Sequence, residues 1–260
     1  SRSEFELEFD EPVPIPTVLS SYLMPLEFLI TSATGRRSGT KSMRGTNRTW
    51  EGVNRGDGKP RWVDVRLGHL PPEPKKLTGS ELLHHLDDLD FAAQLPLVFE
   101  VARQHRYPLE HYATLRRGVS AGYLADFIAS VQLCESFHRS LHAEAGDRAS
   151  LAARLVGLDR ESGALILEIT GEKKWHERVA RLRHIVDHGL AGAEALTEDV
   201  RSVQAATALL LLLFEVRLLV ALGFDADSAK RLAQDRATHG WIVATVREGY
   251  EHIRELTAGS

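Results

Sequence analysis

The run from Ala205 to Phe214, with apolar residues resuming past Glu215 and Arg217 as far as Phe224, most constrains what this chain can become. A helix that is apolar on every side must be surrounded by other structure. A membrane span needs about 20 apolar residues, and charges at its centre are costly. Glu215 and Arg217 fall near the middle of this run. The segment therefore reads as the buried core helix of a soluble protein, from about 199 to 222. Thr197-Glu198-Asp199 supplies the expected cap and Gly223 the end.

Helical patterns dominate the chain around it. Helices are expected at about 80–89, 91–105, 109–117 and 121–143. In the last, Phe127, Val131, Cys134 and Phe137 recur near helical spacing. Ala145-Gly146-Asp147 breaks the chain, and Arg148 to Leu158 is helical again. Asp159 to Gly163 is a turn, and Ala164 to Thr170 fits either strand or helix. An amphipathic helix follows over 172–188, ended by Gly189. A short connection or helix covers 190–197. Beyond the core helix, a helix starts at Asp227 or Ser228 and runs to about 237, and a final one covers about 240–257.

The first 70 residues read differently. Phe5, Leu7 and Phe9 alternate with acidic residues, as a short strand would. Pro12, Pro14 and Pro16 interrupt regular structure, and Leu19 to Ile30 is expected to be helical around Pro25. Arg36 to Arg48 carries five positive charges and no acid, and reads as a solvated, mobile loop. Trp50, a turn at Gly56-Asp57-Gly58 and Trp62 to Leu67 suggest a hairpin or small sheet. Pro71, Pro72 and Pro74 mark a linker. The expected class is mainly α (α+β overall), with a small irregular or β part at 1–70 and a helical part at 78–145. A second helical domain is expected at 146–260.

Net charge is -4, so no global basic field draws the chain onto nucleic acid, and RNA binding would need a local patch. The single Cys134 rules out an intramolecular disulfide and a Cys-rich zinc site. With no signal peptide in view, a cytoplasmic location is the default. The opening Ser1-Arg2-Ser3, without Met, suits a piece of a longer protein.

The chemistry concentrates in Arg183-His184-Ile185-Val186-Asp187-His188. Arginine holds phosphate through paired hydrogen bonds, and histidine moves protons near neutral pH. His184 and His188, four residues apart, share a helix face, and the long Arg183 side chain can swing toward them. Spacing alone does not single this segment out, because Arg106/His111 and Arg247/His252 repeat it. Its surroundings do. Lys173, Lys174, Arg178 and Arg181 lie just upstream, and 172–188 carries five Lys/Arg against three acids. That sign suits phosphate. The candidate catalytic residues are Arg183, His188 and His184, and the candidate nucleic-acid-binding residues are Lys173, Lys174, Arg178 and Arg181. In such a set a histidine serves as base or acid, the arginine stabilises phosphorane charge, and no cofactor or metal is required. One copy is sparse for two proton transfers, and two copies across a dimer axis supply both.

Two rivals compete. His184 and His188 have the spacing of two helical zinc ligands, with His176 near in sequence, but no Glu follows His184 as a zinc-protease motif requires. Alternatively, the domain is a non-catalytic helical interaction module whose 199–222 helix forms a dimer core.

A helix ending in Arg-polar-x-x-x-His, a short connection, and a long apolar helix closing on Leu-Gly-Phe resembles the HEPN (higher eukaryotes and prokaryotes nucleotide-binding) superfamily. Here the pieces are Arg183 to His188 and Leu209 to Phe224. Upstream, Tyr22 to Leu29 and Ala129 to Arg139 are similar to the N-terminal domain of ApeA-like proteins, prokaryotic HEPN proteins linked to phage defence. The common Asn after the Arg is His184 here, and the N-terminal domain looks short. The resemblance implies a helical domain at 146–260 that forms a homodimer, with Arg183 and His188 of both chains lining one cleft. It also implies metal-independent endoribonuclease activity on RNA (tRNA among the candidates) that leaves a 2′,3′-cyclic phosphate. A phage-derived trigger is a further implied partner; a membrane is not.

Overall fold

The computed structural model describes residues 6–34, 40, 42–46, 63–65, 88–116, 121–143, 148–188, 200–235 and 237–258, without the side chains of 63, 235 and 237–241. Several expectations lie outside these residues: the 56–58 turn, Trp50 and Trp62, the 71–74 linker, the first part of the 80–89 helix, the 190–197 connection and the 197–199 cap. The described architecture is mainly helical with one two-stranded sheet. The helices are α1 (Ile15–Val18), α2 (Met24–Thr34), α3 (Phe91–Gln104), α4 (Arg106–Leu115), α5 (Tyr123–Leu141), α6 (Leu151–Glu161), α7 (Leu165–Thr170), α8 (Trp175–His188), α9 (Arg201–Ala221), α10 (Ala226–Asp235) and α11 (Ala237–Ala258).

The apolar run forms α9, and it is central. Val203, Ala206, Leu209, Leu210, Phe214, Val216 and Leu219 are fully buried. Two thirds (67%) of its most apolar window is covered by the rest of the chain, as befits a core helix. Helices α5 and α11 pack most extensively against it. The α11 crossing is close because Gly249 has no side chain: a Cβ there would lie 2.4 Å from the Ala205 Cβ. On the α5 side, the Cys134 thiol donates to the Leu210 carbonyl at 3.4 Å. At the end of α9, Gly223 adopts φ +93°, a left-handed conformation favouring glycine, and Phe224 N–H bonds back to the Leu219 carbonyl. The buried Gln94 of α3 donates to the Leu222 carbonyl at 3.2 Å, satisfying another open carbonyl at that end.

The two charges that interrupt the run are each answered. Glu215 is buried and accepts from the Tyr112 hydroxyl at 2.6 Å and from the Arg116 guanidinium. Arg217 Nε donates to Glu161 Oε2 at 3.1 Å. A buried carboxylate without partners would be expelled or neutralised, so helix α4 is obliged to dock beside α9. Burial and the neighbouring Glu215 carboxylate push the Tyr112 hydroxyl well above its usual range.

Residues from both sides of the expected 145/146 boundary contribute to one continuous core, from Phe28 through Phe137 and Leu158 to Ile253.

Three local expectations change, and one left open is resolved. Residues 6–9 are not a strand; Phe9 packs edge-on to Tyr22 at 4.9 Å, and Tyr22 meets Phe99. Their alternation reflects one aromatic side chain reaching a helix, not strand pairing. Pro16 does not block helix formation, because it sits in the first turn of α1, where its missing N–H costs nothing. The chain then passes through a π turn at Leu19–Leu23 into α2, immediately before Pro25. Part of the basic stretch is a strand: Met43–Gly45 pairs antiparallel with Val63–Val65, in register Met43↔Val65. Finally, 165–170 is helical because the Asp159 carboxylate accepts from Ile166 N–H at 2.8 Å and Leu167 N–H at 3.1 Å.

Candidate functional site

Helix α8 carries the site, and its orientation is fixed by one apolar stripe and two polar anchors. Trp175, Val179, Leu182 and Ile185 recur at helical spacing and are buried against the core. Helices α6 and α11 form the main contacts. Near the N-terminal end, the Trp175 side chain bonds to the buried Asp159. Burial raises the Asp159 carboxyl, and bonds from Ile166, Leu167 and Trp175 counter part of that rise. The second anchor is Glu172. It accepts from Arg178 Nε at 3.2 Å and from the Tyr250 hydroxyl at 3.0 Å. Arg178 also donates to the Thr257 carbonyl at 3.0 Å, tying α8 to the end of α11.

With that stripe turned inward, Arg183, His184, Asp187 and His188 all face outward at the C-terminal end of α8, and all four are exposed. The rings of His184 and His188 meet edge to face, with centroids 4.4 Å apart and planes at 64°. Arg183 Nε lies 2.7 Å from Asp187 Oδ2. Two adjacent i,i+4 pairs thus cover the last turn, one of imidazoles and one of guanidinium and carboxylate. The three expected catalytic side chains share the end of α8: the imidazoles touch, and Arg183 lies in the neighbouring 183/187 row, bonded to Asp187.

The expected nucleic-acid-binding residues are not all gathered with them. Arg181 is half-buried, three residues before His184 and seven before His188, so it follows the same stripe. Among the described residues it has no ion-pair partner. Arg178 is engaged by Glu172 and Thr257. Lys173 and Lys174 lie at the opposite end of the helix, about 20 Å from His188 at 1.5 Å rise per residue. Lys174 pairs loosely with Glu177 at 3.7 Å. The basic character near the imidazoles comes from Arg181 and Arg183.

No group of three His, Cys, Asp or Glu side chains placed to hold a metal occurs among the described residues. His176 cannot complete a set with His184 and His188, because eight helical residues separate it from His184 by about 12 Å. A cavity of about 230 Å³, lined by Glu168, Ile169, Gln234, Val243 and Arg247, lies away from the 183–188 face. None of the residues lining that cavity belongs to 183–188.

The Arg183–Asp187 pair is the i,i+4 ion pair that the sequence already offered. One arrangement needed the tertiary structure. His138 and His142 have rings 4.5 Å apart, with His142 Nε2 3.0 Å from Glu161 Oε1. Glu161 also holds Arg217, so three helices meet there. Gly157 makes room for this arrangement: a Cβ would lie 3.2 Å from His138 Nε2.

Comparisons with protein-family models, curated proteins and solved structures gave no match, so the chain's own residues carry the functional reading.

Proposed function

We propose that this protein is a metal-independent endoribonuclease of HEPN type, acting in the cytoplasm in phage defence. The observation that supports it most is the joint exposure of Arg183, His184 and His188 on the last turn of α8, with the imidazoles in contact. One imidazole removes the proton from a ribose 2′-hydroxyl, and that oxygen attacks the adjacent phosphorus. A protonated imidazole delivers its proton to the departing 5′-oxygen. Arg183 stabilises the charge that builds on the phosphorane oxygens. The P–O5′ bond breaks, leaving a 2′,3′-cyclic phosphate and a 5′-hydroxyl. The nucleophile belongs to the substrate, so no bound metal is needed to generate one.

Exposed side chains on one helix turn do not by themselves enclose a phosphodiester. A homodimer whose axis passes beside α8 would face two copies of the surface, forming a cleft with two arginines and four histidines. The alternative in which α9 is the core of a dimer is disfavoured, because α9 is already buried within its own chain.

The test is cleavage of single-stranded RNA by purified protein in EDTA, with the products examined for cyclic phosphate ends. Cleavage of RNA, but not of the same sequence with deoxyribose at every position, is the expected result. Cleavage of both, or cleavage abolished by EDTA, would rule out attack by the 2′-hydroxyl without a metal.

A further inference from the structure

Resting on the ribonuclease reading, we infer that Asp187 is a positioning residue that holds the Arg183 guanidinium at the level of the two imidazoles. Helical side chains lean toward the N-terminus, so an unrestrained Arg183 would lie over the preceding turn, away from His188. Its Nε instead lies 2.7 Å from Asp187 Oδ2, one turn further along. Aspartate is short, so its carboxylate stays close to the backbone of the last turn. A guanidinium bonded to it must lie on that turn too. His188 is the next residue in the chain, and His184 is its edge-to-face neighbour.

The bond to Nε also suits the task. A guanidinium has five N–H donors in a planar fork, and engagement at Nε leaves terminal N–H groups to grip phosphate. Asp187 therefore orients the arginine without consuming its phosphate-binding capacity. Its negative charge opposes RNA binding, so the residue trades some affinity for orientation. Removing it separates the two effects: binding should be equal or tighter, and turnover slower. A purely electrostatic mask would give tighter binding with turnover equal or faster.

The experiment compares wild type, Asp187→Ala, Asp187→Glu and Arg183→Ala in EDTA. It records KM and kcat for a short RNA, affinity for its 2′-deoxy analogue, and the Arg183 Nε–H signal by ¹⁵N NMR. Alanine removes both the charge and the acceptor, and for Asp187→Ala kcat is expected to fall roughly three- to tenfold, with KM unchanged or lower. Asp187→Glu, which can still reach Nε, should recover part of the loss. The Arg183 Nε–H signal should be distinct in wild type and averaged with exposed arginines in Asp187→Ala. Unchanged or faster turnover in Asp187→Ala, with Arg183→Ala inactive, overturns the positioning role and spares the ribonuclease reading. If Arg183→Ala cleaves as well as wild type, both fall. An Nε–H signal identical in wild type and Asp187→Ala overturns the positioning role regardless of activity.

Discussion

His184 and His188 meet edge to face, 4.4 Å apart, on the exposed last turn of α8. In the proposed dimer each chain contributes this imidazole pair, and the two copies together supply the proton acceptor and the proton donor. Replacing His188 with alanine is therefore expected to reduce kcat by about 10²- to 10⁴-fold, the usual contribution of a general acid or base. His184→Asn should retain more activity than His184→Ala, because the amide can still hydrogen-bond phosphate. Single-turnover cleavage rates check the order. Equal rates for the two His184 variants would mean that hydrogen bonding at 184 contributes nothing.

A shared site makes a separate demand. Mixing Arg183→Ala and His188→Ala protein and allowing exchange should form heterodimers in which one Arg183 and one His188, with both copies of His184, remain beside the cleft. Activity of the mixture is expected to exceed that of either variant alone. Two sites that each work within one chain would show no such recovery, whether or not sedimentation records a dimer.

The α9–α11 crossing is expected to be intolerant of any side chain at 249. A Cβ at Gly249 would meet the Ala205 Cβ at 2.4 Å and the Arg201 carbonyl at 3.2 Å. Gly249→Ala should cost about 1–3 kcal/mol, the range for overpacking, despite alanine's better helix propensity. Urea unfolding of wild type and variant measures it. A stabilised variant would mean that the two helices do not approach as described.

The buried carboxylate in α9 should matter as much. Glu215→Ala leaves the Tyr112 hydroxyl without its acceptor and Arg116 without its charge partner. Breaking a buried pair by removing one member costs about 3–5 kcal/mol. Arg116 retains some access to water, which places the expected loss at the lower end. Glu215→Gln, which can still accept from Tyr112, should lose less. Thermal or urea unfolding of the two variants gives the comparison.

Acid should weaken the fold before the carboxylates titrate. Burial, then the nearby Arg217, holds His105 below its ordinary pKa. Burial also lowers His138, helped by His142, Arg154 and Arg217 and opposed by Glu161. In the unfolded chain both histidines take up protons near the ordinary value of about 6.5. The folded state resists those protons, so stability is fully present above that pH and is lost as pH falls from there toward the lowered folded values. The urea midpoint should therefore drop between about pH 7 and pH 5. His138→Gln should flatten that slope, and an unchanged slope would remove His138 from the explanation.

The core helix was legible in the sequence because an unbroken apolar run has few other destinations. Its end at Gly223 was legible because the left-handed conformation there favours glycine. The site helix was legible because Trp175, Val179, Leu182 and Ile185 mark one stripe, which sends Arg183, His184 and His188 to the other side. What the sequence concealed was pairing across distance. Nothing local distinguishes Arg178, held by Glu172 and Thr257, from Arg181, which keeps to the imidazole stripe. The Tyr112–Glu215 bond joins residues 103 positions apart, so Glu215 looked only like an interruption. The strand at Met43–Gly45 was hidden because three residues in a basic, glycine-bearing stretch give too short an alternation to read.

The most direct test is RNA cleavage in EDTA by wild type, Arg183→Ala and His188→Ala, each shown to be folded by circular dichroism. Cleavage by wild type and its loss in both variants is the expected result. Equal cleavage by all three would contradict a ribonuclease site on the last turn of α8.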